Sequence, residues 1–480
     1  MTDASEISLS AETSKATIAK FGMAAIGFVG TIIFARILGN DGLGGYFLVF
    51  AAAELTVRPV AGIGEAVQKR AAEIDTPSGE TFGVQLLFTS LWLLAVLLVA
   101  LLISGWLNTY FSLDNGALLF ALIIIGEGAY MLSIPMIQAR GRIGLTTGID
   151  ALRSCATLAL QMVFLLIGYR TSGLVYGLAI ASLAVVPIAL RYHIVRPKIP
   201  SRDVLAHIWD FSKYSTLNSL LNKTYERFDE LLLGFLLTNA AVGNYGAAAR
   251  LTLPALFIAG AASQGLMVRT SNLSSKKQSV SEDVANTLAF TSLLAIPMFF
   301  GSLVVANDLV VTVYGPEFAG AASLLVGLAF VRVVGSQTTA LGRALDGLDR
   351  PYANTAVLMV ALVFNITLGV VLTLEFGAIG VVLATAAAQT LTYLLVARAI
   401  RAELPNLSLV TRPFVEQLLA GVVMTIIVFA VKQVVPVQSW LSLGFVLTIG
   451  VFTYGITVIT VSSQLQTTVR SAVDSIRNET

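Results

Sequence analysis

Apolar runs of about 20 residues recur along the chain from residue 15 almost to its end, separated by short polar breaks. A helix rising 1.5 Å per residue needs about 20 such residues to cross a hydrocarbon core roughly 30 Å thick, so each run reads as a membrane-spanning helix. Fourteen spans are predicted: 15–37, 42–65, 82–105, 116–137, 146–168, 173–194, 209–237, 241–268, 284–305, 319–342, 353–374, 377–398, 413–434 and 440–462. The expected fold class is an all-α polytopic membrane protein with polar tails at 1–14 and 464–480.

Fourteen crossings place both termini on one side, and the basic residues decide which. Twenty-one Lys and Arg fall in connections on that side: Lys15, Lys20, Lys69, Arg70, Arg140, Arg142, Arg191, Arg196, Lys198, Arg202, Lys213, Arg269, Lys276, Lys277, Arg343, Arg350, Arg398, Arg401, Arg412, Arg470 and Arg477. The opposite side holds Arg36, Arg170 and Lys432. Both termini are therefore expected in the cytoplasm and the chain in the plasma membrane. The tail at 1–14 carries Asp3, Glu6 and Glu12 but no Lys or Arg, unlike the basic start of a secretory signal.

The longest polar connection, 193–212 with Pro197 and Pro200, follows the sixth span. It divides the chain into a first lobe at 15–196, a linker at 197–208, a second lobe at 209–402 and two further helices at 403–463. An internal repeat supports the division. Leu43-Gly44-Gly45-Tyr46 opens the second span as Val242-Gly243-Asn244-Tyr245 opens the eighth, and at the same offset of 199 Arg70 matches Arg269. Gly173-Leu-Val-Tyr-Gly177 likewise resembles Gly377-Ala-Ile-Gly380. Six intervening helices give the copies one orientation, so their pseudo-two-fold axis runs along the membrane normal.

Composition narrows the function. Of 480 residues 56% are hydrophobic and 12% charged, against about 25% charged in soluble domains, which leaves no room for a soluble catalytic domain. A net charge of +2, with basic residues scattered among short loops, gives no nucleic-acid footprint. The single Cys155 permits no internal disulfide and reads as a small buried hydrophobe. His193 and His207 alone make no metal constellation, and no catalytic residue or cofactor is indicated.

Twelve of the charges inside predicted spans stand out: Arg58, Arg153, Lys223, Arg227, Arg250, Arg332, Glu54, Glu65, Glu127, Glu226, Asp229 and Glu230. At about 2.5–3.5 kcal/mol each they would cost on the order of 30 kcal/mol facing lipid, so they must be paired or line a wet cavity. Glu54 and Arg58 lie four apart and are spaced for an internal pair, followed by a kink at Pro59. In the seventh span Asn218, Asn222, Tyr225 and Asp229 form one stripe, and Ser219, Lys223, Glu226 and Glu230 the next. Lys223–Glu226 and Arg227–Glu230 are spaced for local pairing, so structural and ligand-binding roles both stay open. Arg153 and Arg332 stand alone in their helices and are free to snorkel. Glu127, between Gly126 and Gly128, is either a satisfied carboxylate or a proton site. The substrate-binding candidates are Glu54, Arg58, Lys223, Arg227, Asp229 and Arg250; the coupling acids are Glu54, Glu127 and Asp229.

Arg227-Phe-Asp229-Glu-Leu-Leu-Leu-Gly234-Phe, followed by Val242-Gly243-Asn-Tyr245 through Arg250, resembles the polysaccharide-export branch of the multidrug/oligosaccharidyl-lipid/polysaccharide (MOP) flippase superfamily. Gly42-Leu-Gly-Gly45-Tyr46 through Gln68-Lys69-Arg70, and the Arg140-Gly141-Arg142 turn, fit the same pattern. The chain is also similar to archaeal flippases for dolichol-phosphate-linked sugars. The resemblance implies two six-helix lobes of the MATE type around a hydrophilic cavity, with alternating access. It also implies a polyprenyl- or dolichyl-(pyro)phosphate glycan as substrate, for cell-surface polysaccharide or glycoprotein assembly, with membrane lipid and glycosyltransferases of the pathway as partners.

Two other functions compete with this reading. A multidrug or cation antiporter of the superfamily is expected to carry an acid in its first helix, whereas 15–38 contains none. A membrane-embedded glycan polymerase or transferase is expected to carry a large outer loop, whereas the longest here run to about a dozen residues, with Asp114, Asp308 and Glu317 among their acids.

Overall fold

The computed structural model describes residues 9–73, 78–192, 195–276, 278–462, 464 and 466, with side chains described from Gly22 onward. Most of the two expected tails, His193, Lys277, Arg470, Arg477 and the side chains of Lys15 and Lys20 lie outside that description. The chain is helical almost throughout, because in a bilayer a backbone must satisfy its own hydrogen bonds and a helix does so within one segment.

In order the helices are α1 (Leu9–Ala71), α2 (Ser78–Leu102), α3 (Ser104–Phe111), α4 (Gly116–Gln138), α5 (Ile143–Leu166), α6 (Thr171–Tyr192), α7 (Arg202–Leu236) and α8 (Asn239–Leu251). There follow α9 (Ala255–Ser275), α10 (Ser281–Thr291), α11 (Ala295–Tyr314), α12 (Ala321–Gly347), α13 (Pro351–Phe376), α14 (Ala378–Glu403), α15 (Arg412–Val434) and α16 (Trp440–Val461). The protein is a multi-pass membrane protein: large apolar side chains such as Leu102, Leu166, Val363, Leu374, Ile426 and Phe452 point outward along these helices. Water would reject such a surface, and lipid accepts it.

Among the described residues, eleven helices are long and apolar enough to cross a membrane, or twelve if the bent pair α8–α9 counts as one span. The expected fourteen exceeds this by two, and each difference has a physical source. α1 holds the first two predicted spans in one 63-residue element, interrupted at Gly39, whose left-handed φ of 70° suits glycine. α7 coincides with the seventh predicted span but is too polar to pass an apolar criterion.

Two other predicted spans are broken in the middle. α8 and α9 meet at 56° around Thr252 to Pro254, where proline has no N–H to continue the ladder. Arg332 on α12 donates from Nε to Thr252 Oγ1 at 3.0 Å. Arg332 is therefore a brace for this break, not the isolated, snorkelling cation expected. Between α10 and α11, Gln417 Nε2 donates to the Ala289 carbonyl at 2.6 Å, Ser292 Oγ donates to Gln417 Oε1 at 3.0 Å, and Gln337 Nε2 donates to the Leu288 carbonyl at 3.1 Å. Buried amides thus occupy backbone groups that the interruption frees.

The chain forms two compact units, Met1–Gly243 and Asn244–Thr480. In the first, Ile63, Val67, Phe82, Met136 and Ile208 join α1, α2, α4 and α7, while Ile137, Ile149 and Val185 join α4, α5 and α6. In the second, Ile296, Met424, Val446 and Tyr454 pack α11, α15 and α16, and Leu266, Val284, Leu341 and Ile400 pack α9, α10, α12 and α14. Residues 197–208, expected as the linker between lobes, include the start of α7, and Ser201 caps it by accepting from the Val204 N–H.

The repeat seen in the sequence has a structural counterpart inside the first unit. A Cβ placed on Gly44 would stand 1.8 Å from the Asn239 carbonyl oxygen, and one placed on Gly243 would stand 2.0 Å from the Asn40 carbonyl oxygen. Asn40 and Asn239 are themselves 199 apart, so the contact is reciprocal: each copy's glycine receives the other copy's asparagine carbonyl. Only glycine permits so close an approach.

Candidate functional site

α1 and α7 run antiparallel and touch along most of their shared length. From one end to the other, Leu48 packs at Gly234, Phe50 lies under Arg227, Ser215 Oγ donates to the Gly62 carbonyl at 2.9 Å, Lys69 sits 4.2 Å from the Phe211 ring, and Glu73 faces His207 at 3.5 Å. The charged centre of this pair is the candidate site.

Glu54 is its hub. Its Oε1 accepts from Lys223 Nζ at 2.9 Å, and its Oε2 accepts from Arg227 Nε at 2.8 Å, with Arg227 NH2 also at 2.8 Å. Lys223 and Arg227 are four apart on α7 and so present their cations on one face. Each also holds an acid on its own helix: Lys223 meets Glu226 at 2.5 Å and Arg227 meets Glu230 at 3.0 Å. The expected α7 pairs therefore form. The expected Glu54–Arg58 pair does not, because two cations on the facing helix take both carboxylate oxygens. Arg58 keeps a buried Nε with no hydrogen-bond partner among the described residues, and its charge is felt by Glu65 farther along α1.

The network is graded in exposure. Glu230 is 5% exposed and Glu226 62%, so the cations lie between a buried acid and an open one. Asn218 and Asn222 continue the open face, joined at 3.1 Å. The Arg227 guanidinium lies 5.4 Å from the Phe50 ring centre, and Phe50 stacks on Tyr46. Tyr46, Phe50, Glu54 and Arg58 thus form one stripe at four-residue spacing, two aromatic faces followed by two charges. Chemically this arrangement offers forked and point-charge donors for an oxyanion beside rings able to stack on a sugar. The aromatic half was missed in the sequence, although its spacing to Glu54 was there to find.

The remaining candidates lie elsewhere. Asp229 is buried on α7. Arg250 belongs to the second unit, in the last turn of α8, where NH1 donates to the Gly246 carbonyl at 3.0 Å. Glu127 and Arg153 are partners in a second cluster. Arg153 NH1 donates to Glu127 at 2.6 Å and lies 3.4 Å from Ser182 Oγ, its NH2 and Nε reach Asp150 at 3.0 and 3.2 Å, and its guanidinium stacks over Tyr130 at 4.4 Å. Arg153 is therefore not the lone, snorkelling residue expected. Asp150, three residues before it, is the acid the sequence reading passed over. Cys155 is exposed instead of buried, as a weakly polar thiol can be where the surroundings are lipid.

Among the described residues no group of His, Cys, Asp and Glu is placed to hold a metal ion. A cavity of about 330 Å³ in the second unit is lined by residues such as Leu294, Met298, Val305, Met424 and Val446, with Thr252 and Ser302 as its polar members. That lining offers nothing to a charged ligand.

Comparison with known proteins agrees with this architecture. The chain is 28% identical over 381 residues to the probable low-salt glycan biosynthesis flippase Agl15 of Haloferax volcanii, covering 79% of this chain and 80% of that one. It is 26% identical over 452 residues to the probable flippase AglR of the same organism, covering 92% and 94%. Among solved structures, the lipid II flippase MurJ in an inward-closed conformation superposes with a TM-score of 0.78 at 14% identity, covering 93% of this chain and 98% of that one. An inward-facing MATE-family multidrug resistance transporter of the MOP superfamily gives 0.65 at 15% identity, covering 82% and 100%. The sequence itself matches the polysaccharide biosynthesis protein family over residues 33–323, more than half its length. With the helices and the charged α1–α7 pair in view, the chain belongs to the polysaccharide biosynthesis protein family, on the fold shared by MOP-superfamily transporters.

Proposed function

We propose that the protein is a flippase that carries a glycan linked to a polyprenyl or dolichyl phosphate or pyrophosphate across the plasma membrane by alternating access, leaving it chemically unchanged. The observation that carries this reading is the Lys223–Arg227 pair near the middle of α7, two cations one turn apart that converge on a single carboxylate beside an open polar face. A sugar phosphate cannot enter hydrocarbon without partners for its charge and hydroxyls, and this site supplies both kinds. Membership of a polysaccharide biosynthesis family, and relatives named as flippases, support the same reading.

In this mechanism the exposed stripe of Asn218, Asn222 and Glu226 faces a water-filled lumen, since at membrane depth it could not face lipid. Lys223 and Arg227 hold the phosphate; Arg58, Asp229 and Arg250 are further lumen residues. Glu54, Glu127 and Asp229 are the acids available to couple transport to an ion gradient. Access to the site alternates between the two faces of the membrane, the isoprenoid tail stays in lipid, and glycosyltransferases of the pathway supply the cargo on the cytoplasmic face, where both termini lie. A multidrug antiporter is disfavoured by a first span without an acid.

The test is reconstitution. Purified protein in liposomes loaded with a dolichyl-phosphate hexose should expose the sugar to impermeant periodate from both leaflets while its mass stays unchanged. A new covalent product made by the pure protein would overturn the reading in favour of an enzyme. The orientation is tested separately: a cytoplasm-dependent reporter should work after Thr480 and at Ser279 and fail at Asn115 and at Glu317, since Asp308, expected in that outer loop, lies within α11; the reverse pattern would overturn it.

A further inference from the structure

We infer that Glu54 is a built-in substitute for the substrate's phosphate: its carboxylate fills the oxyanion site of Lys223 and Arg227 between transport events, and an arriving phosphate drives it across to Arg58. The inference rests on the proposed phosphate chemistry of the site and adds a part for its acid.

Three donors surround one carboxylate. Lys223 Nζ takes one oxygen at 2.9 Å, and Arg227 Nε and NH2 converge on the other at 2.8 Å each. This is the way a lysine and a forked guanidinium hold a phosphate, whose oxygens are similarly spaced and more strongly charged. The other acids on these cations, Glu226 and Glu230, sit three residues away on α7 itself and travel with them. Glu54 comes from α1, so its displacement opens the α1–α7 ion pairs at mid-helix and leaves every pair within α7 intact.

A displaced carboxylate at this depth needs a new partner, and one is in place. Arg58 is four residues along the same helix face, and its Nε is buried without a hydrogen-bond partner among the described residues. Glu54 therefore has two mutually exclusive homes, the α7 cations or Arg58, and phosphate binding selects the second. In either state the α7 cations are countered by an anion from outside their own helix, so a carrier returning without cargo does not carry them stripped of one.

The experiment measures binding of farnesyl phosphate to the purified full-length protein in lipid nanodiscs, with farnesol as the uncharged control. If the Glu54-closed form holds about nine-tenths of the population, Glu54→Gln should bind farnesyl phosphate about tenfold more tightly than the parent. Arg58→Gln removes the second home and should weaken binding by a similar factor. In the double variant the Arg58 effect should vanish, because Arg58 acts through Glu54. Farnesol binding should be the same throughout.

The failures are separable. If no protein prefers farnesyl phosphate to farnesol, the phosphate-site reading itself falls and the inference falls with it. If the parent prefers the phosphate but Glu54→Gln binds it no more tightly, Glu54 is an ordinary structural counter-ion and the inference alone is overturned. If Arg58→Gln weakens binding equally with and without Glu54, Arg58 contacts the phosphate directly and the two-home switch is overturned. Should Glu54→Gln fail to fold, Glu54→Asp keeps the charge but withdraws it by one methylene: a gain in affinity supports the inference, and no gain overturns it. Arg58→Gln leaves the α1–α7 ion pairs in place, and unchanged binding in that variant overturns the inference by itself.

Discussion

The first unit contains two clusters of buried charge, and they differ in how their donors are used. Around Arg153 every guanidinium nitrogen has a partner: Nε and NH2 on Asp150, NH1 on Glu127, with the Tyr130 ring beneath and Ser182 completing Glu127. Three helices, α4, α5 and α6, are tied together in one geometry. Around Glu54 the Arg227 nitrogens are all paired as well, but one carboxylate from another helix is shared between two cations, the acids grade from buried to open, and Arg58 Nε has no partner among the described residues. A cluster with every donor committed holds helices in place. One with alternatives in reach can exchange a partner for a ligand.

The largest expected effect breaks the first cluster. Arg153→Ala strands Glu127 among packed helices, and loss of one partner of a buried pair costs about 3–5 kcal/mol, so folded protein should be scarce and its thermal unfolding markedly lower. The neutral variant Arg153→Met with Glu127→Leu and Asp150→Asn, which leaves neither acid stranded, should recover most of that loss. If Arg153→Ala folds normally but abolishes transport, the two clusters are not different in kind.

A smaller effect on folding, with a larger one on transport, is expected at the second cluster. Arg227→Lys keeps the charge and loses the fork, so transport per folded molecule should fall about tenfold or more while protein levels stay near those of the parent. Transport that merely follows protein level would make Arg227 a structural residue like Arg153.

The smallest effect lies at the water-exposed end of the same helix pair. The hydrogen bond from Arg70 to Glu73, at 2.8 Å, holds the Glu73 carboxyl below the usual carboxylate range, with His207 assisting. Its contribution is present above that usual range and lost as pH falls through the lowered value. Glu73→Gln should therefore unfold slightly earlier than the parent at about pH 7 and alike at about pH 3, because an exposed pair contributes little. A large difference would mean that charge is used for fixation along the whole α1–α7 interface.

Much of this was legible in the residues. The order of the apolar runs gave the helices, and the polarity of 209–237 singled out α7. The i,i+3 spacing found both pairs within α7. What spacing could not give was choice of partner between helices: Glu54 prefers Lys223 and Arg227, 169 and 173 residues away, to Arg58 four residues away. The same blindness made Arg153 and Arg332 look solitary. Gly39 was visible as a glycine, but the helix resuming directly beyond it depends on backbone geometry that composition does not encode. Cys155 was misplaced because burial is a rule for chains in water, and lipid removes the pressure behind it.

The reciprocal approach of Gly44 to Asn239 and Gly243 to Asn40 bears on descent. A contact in which each copy gives and receives the same pair is what two identical half-length chains would make about a two-fold axis, where one gene supplies both glycines. Once two such copies are fused, each glycine mutates on its own, yet a side chain gained at either meets a backbone carbonyl that cannot retreat. A side chain at either position meets the same backbone obstacle, whatever its surroundings become. At the same offset, Glu54 and Arg58 correspond to Leu253 and Phe257. The glycine joint is matched in both copies, whereas the charge at these two positions is carried by one copy alone.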